Sequence, residues 1–248
     1  MKVLVAVKRV PDGNVPLRFK PEGAGLDVAG MPMRINPFDE AALEWAAQAK
    51  EAGTISEIIA VSIGGEACQE TLRHALALGA NRAVRIDTDQ PLEPLAVAKL
   101  LRALAEREQP ALILLGKQAS DDDNAQTAPM LAALLDWPQG VFASTLVLEN
   151  NTLQVTREIE GGQEVLALPM PAVISADLRL ANPRYLKLPQ LLQAKKKTIE
   201  TLDPSELGVT LAPRLALLQM APTPARKPAV TLAHASELVH RLRQEGLP

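Results

Sequence analysis

The sequence predicts an α/β fold: a mostly parallel twisted sheet with helices on both faces, plus an antiparallel meander and an extended C-terminal tail. Three observations carry the prediction. Up to Leu135, short apolar runs closed by glycine or charge alternate with amphipathic segments of helical length, the pattern of parallel strands joined by helices. Beyond Asp136-Trp137-Pro138 the runs alternate or turn β-branched, and Asn150-Asn151 and Gly161-Gly162 fall between them as hairpin turn signals. Past Gly208, Pro213, Pro222, Pro224 and Pro228 keep the chain extended.

Val3 to Val7 reads as a first buried strand, with Lys8 to Asn14 as the loop off its carboxyl end. Residues 16–33, rich in Gly and Pro, read as an irregular excursion or a small hairpin. A helix then starts at Asn36-Pro37-Phe38-Asp39-Glu40. Asn36 is the expected N-cap, Pro37 suits the first helical position, and the two acids favour the positive end of the dipole. Gly53 is its expected stop. Ile58 to Ile63 reads as the second strand, Glu66 to Leu78 as a helix, Ala83 to Ile86 as the third strand and Leu92 to Glu108 as a long helix. In such sheets ligands bind beyond the carboxyl ends of the strands, so the loops after Val7, Met33, Val61 and Leu115 converge on the expected site.

The last of these loops is the richest. Ala111 to Gly116 reads as a strand buried on both faces, and Ala128 to Leu135 as a helix packed on the sheet. The polar loop between them carries Lys117, Gln118, Ser120, Asp121, Asp122, Asp123, Asn124, Gln126 and Thr127. A strand that stops in a loop and restarts as a helix offers free N–H groups and a positive dipole end, a ready site for phosphate. Three consecutive aspartates would repel a phosphate if all faced it. The simplest resolution has one capping the helix and the others fixing the loop or reaching a sugar hydroxyl. The pattern is not a Walker loop, since no second glycine precedes Lys117 and no Ser or Thr follows it.

Thr145 to Leu148, Leu153 to Ile159 and Val165 to Leu168 form the expected meander, and Ala172 to Ser175 one more buried strand. Leu186, Leu188, Leu191 and Leu192 then lie in a segment flanked by Pro183 and Pro189 and closed by Lys195-Lys196-Lys197. The lysines suit a solvated helix end. An exposed leucine beside prolines is alternatively a docking anchor for another protein. A Pro-rich tail carrying Leu215, Leu217, Leu218 and Met220 is expected to lie against something, a partner subunit being one candidate.

Composition excludes several classes. With three Phe, one Tyr, two Trp and a formal charge of −3, the chain lacks the stacking surface and basicity for nucleic acid. Its single cysteine, Cys68, forms no intrachain disulfide, suggests a reducing compartment and is expected to serve helix packing. His74, His234 and His240 make no metal spacing with it, so no metal site is expected. There is no apolar run of membrane-spanning length and no signal-peptide pattern, so the expected product is soluble and not membrane-embedded.

Five stretches in order, VAVKRVPD, NPFDE, LLGKQASDDDNAQT, LDWPQGVFAS and DLRLANPRYLKLPQLLQAKKK, together resemble the beta subunit of electron transfer flavoprotein. The resemblance runs to about Gly208, and the residues beyond match in character more than in motif. It implies an adenine-nucleotide-alpha-hydrolase-like fold, with a nucleotide-binding domain at 1–208 that holds a recognition loop at about 177–197. Residues 209–248 would be a C-terminal extension packing on the larger alpha subunit of a heterodimer. AMP would sit in this chain and FAD mainly in the alpha subunit. By resemblance the AMP site falls on Ala6, on Asn36, Pro37, Phe38 and Asp39, and on Gly116, Lys117, Gln118, Ala119, Ser120, Asp121, Asp122, Asp123, Asn124, Ala125, Gln126 and Thr127. Ala6 and the Asn36 loop would bracket the adenine, the Gly116–Thr127 loop would hold ribose and phosphate, and Phe38 would lie toward the flavin. Leu188, with Tyr185 and Pro189, would anchor in a pocket of partner dehydrogenases, and Lys195 to Lys197 match a place where methylation occurs in the family.

No catalytic residue is implied. The chain would be a carrier subunit, taking electrons from flavoprotein dehydrogenases such as acyl-CoA dehydrogenases to a quinone oxidoreductase of the respiratory chain. The expected compartment is the cytoplasm of a bacterium or the mitochondrial matrix of a eukaryote. The family usually has Asn directly before Gln-Thr and Gly directly after, where this chain has Ala125 and Ala128. That leaves one phosphate-side contact to a backbone amide. Members that bifurcate electrons place a second FAD where AMP sits, but the DDD loop and the PRYLKLPQLLQAKKK segment resemble the ordinary AMP-binding group. A stand-alone stress-type nucleotide-binding protein would need neither the meander nor the long tail. An adenylating enzyme would need a Ser/Gly loop where Lys8-Arg9-Val10-Pro11 stands.

Overall fold

Val3, Leu4 and Val5 have no exposed surface, as expected of an apolar run set between two layers of helix. They form the heart of β1 (Lys2–Ala6). The computed structural model describes residues 1–149, 152–226 and 228–247, so the expected Asn150-Asn151 turn lies outside the described residues. Residues 1–17 and 28–216 form one unit, and residues 18–27 with 217–248 form another.

In the first unit, β1 leads into a short antiparallel pair, β2 (Arg9–Pro11) and β3 (Met33–Ile35). Pro37 opens α1 (Pro37–Glu51), with Asp39 and Glu40 in its first turn. The alternation follows: β4 (Glu57–Ile63), α2 (Cys68–Leu78), β5 (Arg82–Ile86), α3 (Pro94–Glu108), β6 (Leu112–Gly116) and α4 (Thr127–Leu135). Then come β7 (Gln139–Glu149), β8 (Thr152–Ile159), β9 (Gly162–Pro169), β10 (Ala172–Ala176), α5 (Leu188–Lys196) and β11 (Glu200–Leu202). One sheet runs β11-β5-β4-β1-β6-β10-β7-β8-β9. It is parallel from β11 to β7 and antiparallel across β8 and β9, so the meander continues the sheet.

Successive strand residues face opposite layers. Val3, Val5, Ile58 and Leu112 pack with Leu43 of α1 and Leu72 of α2, while Leu4, Ile59 and Ile113 pack with Leu101 of α3 and Leu131 of α4. Gly140 shows how closely the meander approaches this core. A Cβ there would meet Ile174 Cδ1 and Val155 Cγ2, each at 2.8 Å.

Several expectations are corrected. Residues 9–11 are not simply loop, because they pair with 33–35, and the first meander strand begins at Gln139, well before Thr145. No aspartate caps α4. Gln126 holds that position with no side-chain cap, because Asp121 and Asp122 are drawn to Lys8 and Asp123 to Gln118. Asn36 stands at the N-cap position of α1, yet its side chain does not cap the helix.

In the second unit, residues 18–27 turn through a Phe19–Leu26 bridge, and the Met220 N–H donates to Gly23 O at 2.9 Å. The tail ends in α6 (Ala235–Gln244), which exposes Leu238 and Val239.

Candidate functional site

The strand order places β1 between β4 and β6, and the chain leaves those neighbours toward opposite sides of the sheet. A crevice opens at such a reversal, beyond the carboxyl ends. A cavity of about 210 Å³ lies there, lined by Ala6, Val7, Val61, Ile63, Leu115 and Gly116 from the strand ends. Thr88, Gln90, Leu92, Pro94, Val97 and Leu101 form a wall that the sequence reading did not anticipate. The signal was available, since the loop after the third parallel strand must open on the same edge.

Asp39 holds the site together. Its carboxylate accepts the Lys8 N–H at 2.8 Å and the Gly116 N–H at 2.7 Å, tying the exits of β1 and β6 to the first turn of α1. Burial pushes its carboxyl up to about 7, against the opposing pull of the Lys8 and Gly116 N–H groups and the Asn36 side chain. Gly116 allows this approach. A Cβ at that position would fall 2.4 Å from Asp39 Oδ1 and 2.7 Å from Phe38 Cβ.

Asn36 does tertiary work. Its Nδ2 donates to Gln118 O at 2.9 Å, and its Oδ1 accepts the Ser120 N–H at 3.3 Å. Local N-cap logic missed this, because the partners lie 82 and 84 residues further on.

The acidic loop is neutralised from the other side. Lys8 Nζ reaches Asp121 Oδ1 at 2.8 Å and Asp122 Oδ2 at 2.9 Å. Burial lowers the Lys8 pKa, but the two carboxylates outweigh it and hold the ammonium above its ordinary value. Gln118 Nε2 donates to Asp123, whose own N–H donates to Ala119 O at 2.9 Å. Asp123 and Ala125 both stand at φ +52°. Aspartate tolerates that region, but alanine does so at a cost. Asn124, Ala125, Gln126 and Thr127 line the cavity, and α4 starts among them without a side-chain cap, its amino end open to a ligand.

Of the remaining expected residues, Asn36, Asp39, Lys117, Gln118, Ala119 and Asp122 also line the cavity, whereas Pro37, Phe38, Ser120, Asp121 and Asp123 do not, the last three being exposed to solvent. Lys117 turns its ammonium to Asp177 Oδ2 at 2.8 Å, with the Phe38 and Phe142 rings 5.4 and 5.7 Å away. Tyr185, Leu188 and Pro189 are not at the cavity. They lie at the start of α5, where Tyr185 is 99% and Leu188 67% exposed.

Fold and cavity define a class: a parallel α/β protein with a small crevice beyond its central strands, apolar on one wall and lined by amides and an open helix start on the other. Comparison of sequences narrows it. The electron transfer flavoprotein domain matches residues 26–207. The mitochondrial electron transfer flavoprotein subunit beta of Oryza sativa subsp. indica is 47% identical over 250 residues, covering 99% of each chain. The subunit beta of Bradyrhizobium diazoefficiens is 47% identical over 246 residues, again 99% of each. The human subunit beta is 47% identical over 250 residues, 99% of this chain and 98% of the human one. The chain belongs to the electron transfer flavoprotein family, among its beta subunits. Among the described residues, no helix is long and apolar enough to cross a membrane.

Proposed function

We propose that the chain holds one AMP in the cavity as a structural ligand and forms, with a larger alpha subunit, a flavoprotein that carries electrons without catalysing a reaction of its own. The observation that carries this reading is the division of the cavity. Val61, Ile63, Leu92, Val97 and Leu101 give one apolar wall suited to a flat base. Asn124 to Thr127 and the uncapped start of α4 give a polar wall suited to ribose and phosphate. AMP would stabilise the folded chain by mass action, because it binds only the assembled loops.

FAD would be held mainly by the alpha subunit, with Phe38 and the Lys117 ammonium on the side facing it. The tail, residues 209–248, would pack on that subunit and cover its exposed Leu215, Leu217 and Leu218. Tyr185 and Leu188 would dock into an apolar pocket of flavoprotein dehydrogenases such as acyl-CoA dehydrogenases. Electrons would leave to a quinone oxidoreductase of the respiratory chain.

Co-expression with a candidate alpha subunit tests the assembly. The expected result is a one-to-one pair showing flavin absorbance that an acyl-CoA dehydrogenase and its substrate bleach, while the lone chain is colourless. Flavin bound by the lone chain, or no stable pair, would contradict the reading.

A further inference from the structure

Glu44 lies two turns into α1, among alanines and leucine that face the sheet, and its side chain is only 2% exposed. A carboxylate in that position needs charged or hydrogen-bonded partners. Arg184 supplies them from 140 residues away. Its Nε donates to Glu44 Oε1 at 2.9 Å and Oε2 at 3.0 Å, its Nη2 to Oε1 at 2.8 Å, and its backbone N–H to Oε2 at 3.3 Å. Gln48 Nε2 adds a donor at 2.8 Å. The free edge of the guanidinium reaches Glu51, with Nη2 to Oε2 at 3.2 Å and Nη1 to Oε1. Hydrogen bonds donated to Glu44 first, then to Glu51, hold the guanidinium even further into its charged form.

The residue straight after this clamp is Tyr185, almost fully exposed, and Leu188 follows at the first position of α5. The far end of α5 is fastened as well. Arg73 Nη1 donates to Ala194 O at 2.7 Å and to Lys197 O, and Lys197 Nζ donates to Ala80 O at 3.0 Å. The segment is thus pinned at both ends while its middle presents large apolar groups to solvent. An unbraced strand of this kind would have to be ordered on binding, and ordering it in advance raises affinity without adding a contact.

We propose that Arg184, seated on the buried Glu44, is a positioning residue that sets Tyr185 and Leu188 for docking into an apolar pocket of the electron-donating dehydrogenase. The proposal rests on the docking reading above. The fork geometry matters more than the charge, because a lysine ammonium cannot span both oxygens of Glu44 and reach Glu51 together.

The test uses the flavin-loaded heterodimer as electron acceptor for an acyl-CoA dehydrogenase, reading KM for the heterodimer, kcat and flavin content. Leu188→Ala is expected to raise KM about tenfold, the size of a strong anchor. Arg184→Ala should raise KM about fivefold with kcat within about twofold, and Arg184→Lys should fall between it and the parent. Arg184→Ala should add little in the Leu188→Ala background, because a positioning group has nothing left to position. If Leu188→Ala raises KM while both Arg184 variants leave it unchanged, or if the two effects multiply in full, the positioning role is overturned and the docking reading survives. An unchanged KM for Leu188→Ala would overturn the docking reading itself. Should Arg184→Ala fail to assemble, Arg184→Lys and Glu44→Gln carry the same comparison.

Discussion

Asp39 should make the protein more stable as the pH falls from 8 to 6. Its carboxyl titrates at about 7 in the fold against an ordinary value of 3.8, because burial disfavours the charged form more than the Lys8 and Gly116 N–H groups favour it. Over this range the folded chain takes up a proton that the unfolded chain does not hold, so stability rises as pH drops, and the gain is complete near the unfolded value. At pH 8 the side chain is ionised in both states. At pH 6 about nine tenths of the folded molecules hold the proton, which contributes about 1.4 kcal/mol. Asp39→Asn cannot titrate, and it turns an amide donor toward one of the two N–H groups, so it should be less stable at both pH values. The informative quantity is the difference between parent and variant in urea unfolding, which cancels the other titrating groups. It should widen by about 1.4 kcal/mol from pH 8 to pH 6. A gap constant to within about 0.3 kcal/mol, or one that narrows, would refute the reasoning and show that the two N–H groups keep the carboxylate ionised.

Other outcomes follow from the same geometry. Gly116→Ala drives a methyl group into Asp39 and Phe38, so it should cost about 1–3 kcal/mol in urea unfolding and lower nucleotide retention. Unchanged retention would mean the loop re-forms around the methyl. Ala125→Asn puts a residue that accepts the left-handed region at φ +52°, and should stabilise the chain by roughly 0.5–1 kcal/mol, read as a rise in Tm. A lower Tm would mean that the loop has no room for the amide. Leu43→Ala empties a fully buried position between α1 and the sheet, and its expected cost is about 2–5 kcal/mol. A loss below about 1 kcal/mol would show that α1 settles into the space.

Much of the site's location was legible, for a definite reason. Parallel topology puts every loop after a strand on one edge, so recognising Val3–Val7, Ile58–Ile63 and Ala111–Gly116 as strands already brought Ala6, Val61 and Gly116 together. The loop of Thr88 and Gln90 follows from the same rule, but its polar residues carry no motif of their own. What sequence reading missed were long-range polar contacts. Asn36 and Asp39 look like ordinary helix-start residues, whereas their side chains hold Gln118, Ser120, Lys8 and Gly116. The three aspartates suggest a helix cap until Lys8 is placed beside two of them. Nothing local marks Glu44 as buried, since the Arg184 that holds it lies 140 residues further on. The three-residue strands β2, β3 and β11 are too short to show a period and exist through their partners.

The nucleotide content of the purified pair, released by acid and identified by chromatography with mass spectrometry, decides whether this chain holds AMP. The expected content is one AMP per beta chain beside one FAD per pair. Two FAD and no AMP, or ATP in the lone chain with no partner recovered, would contradict it.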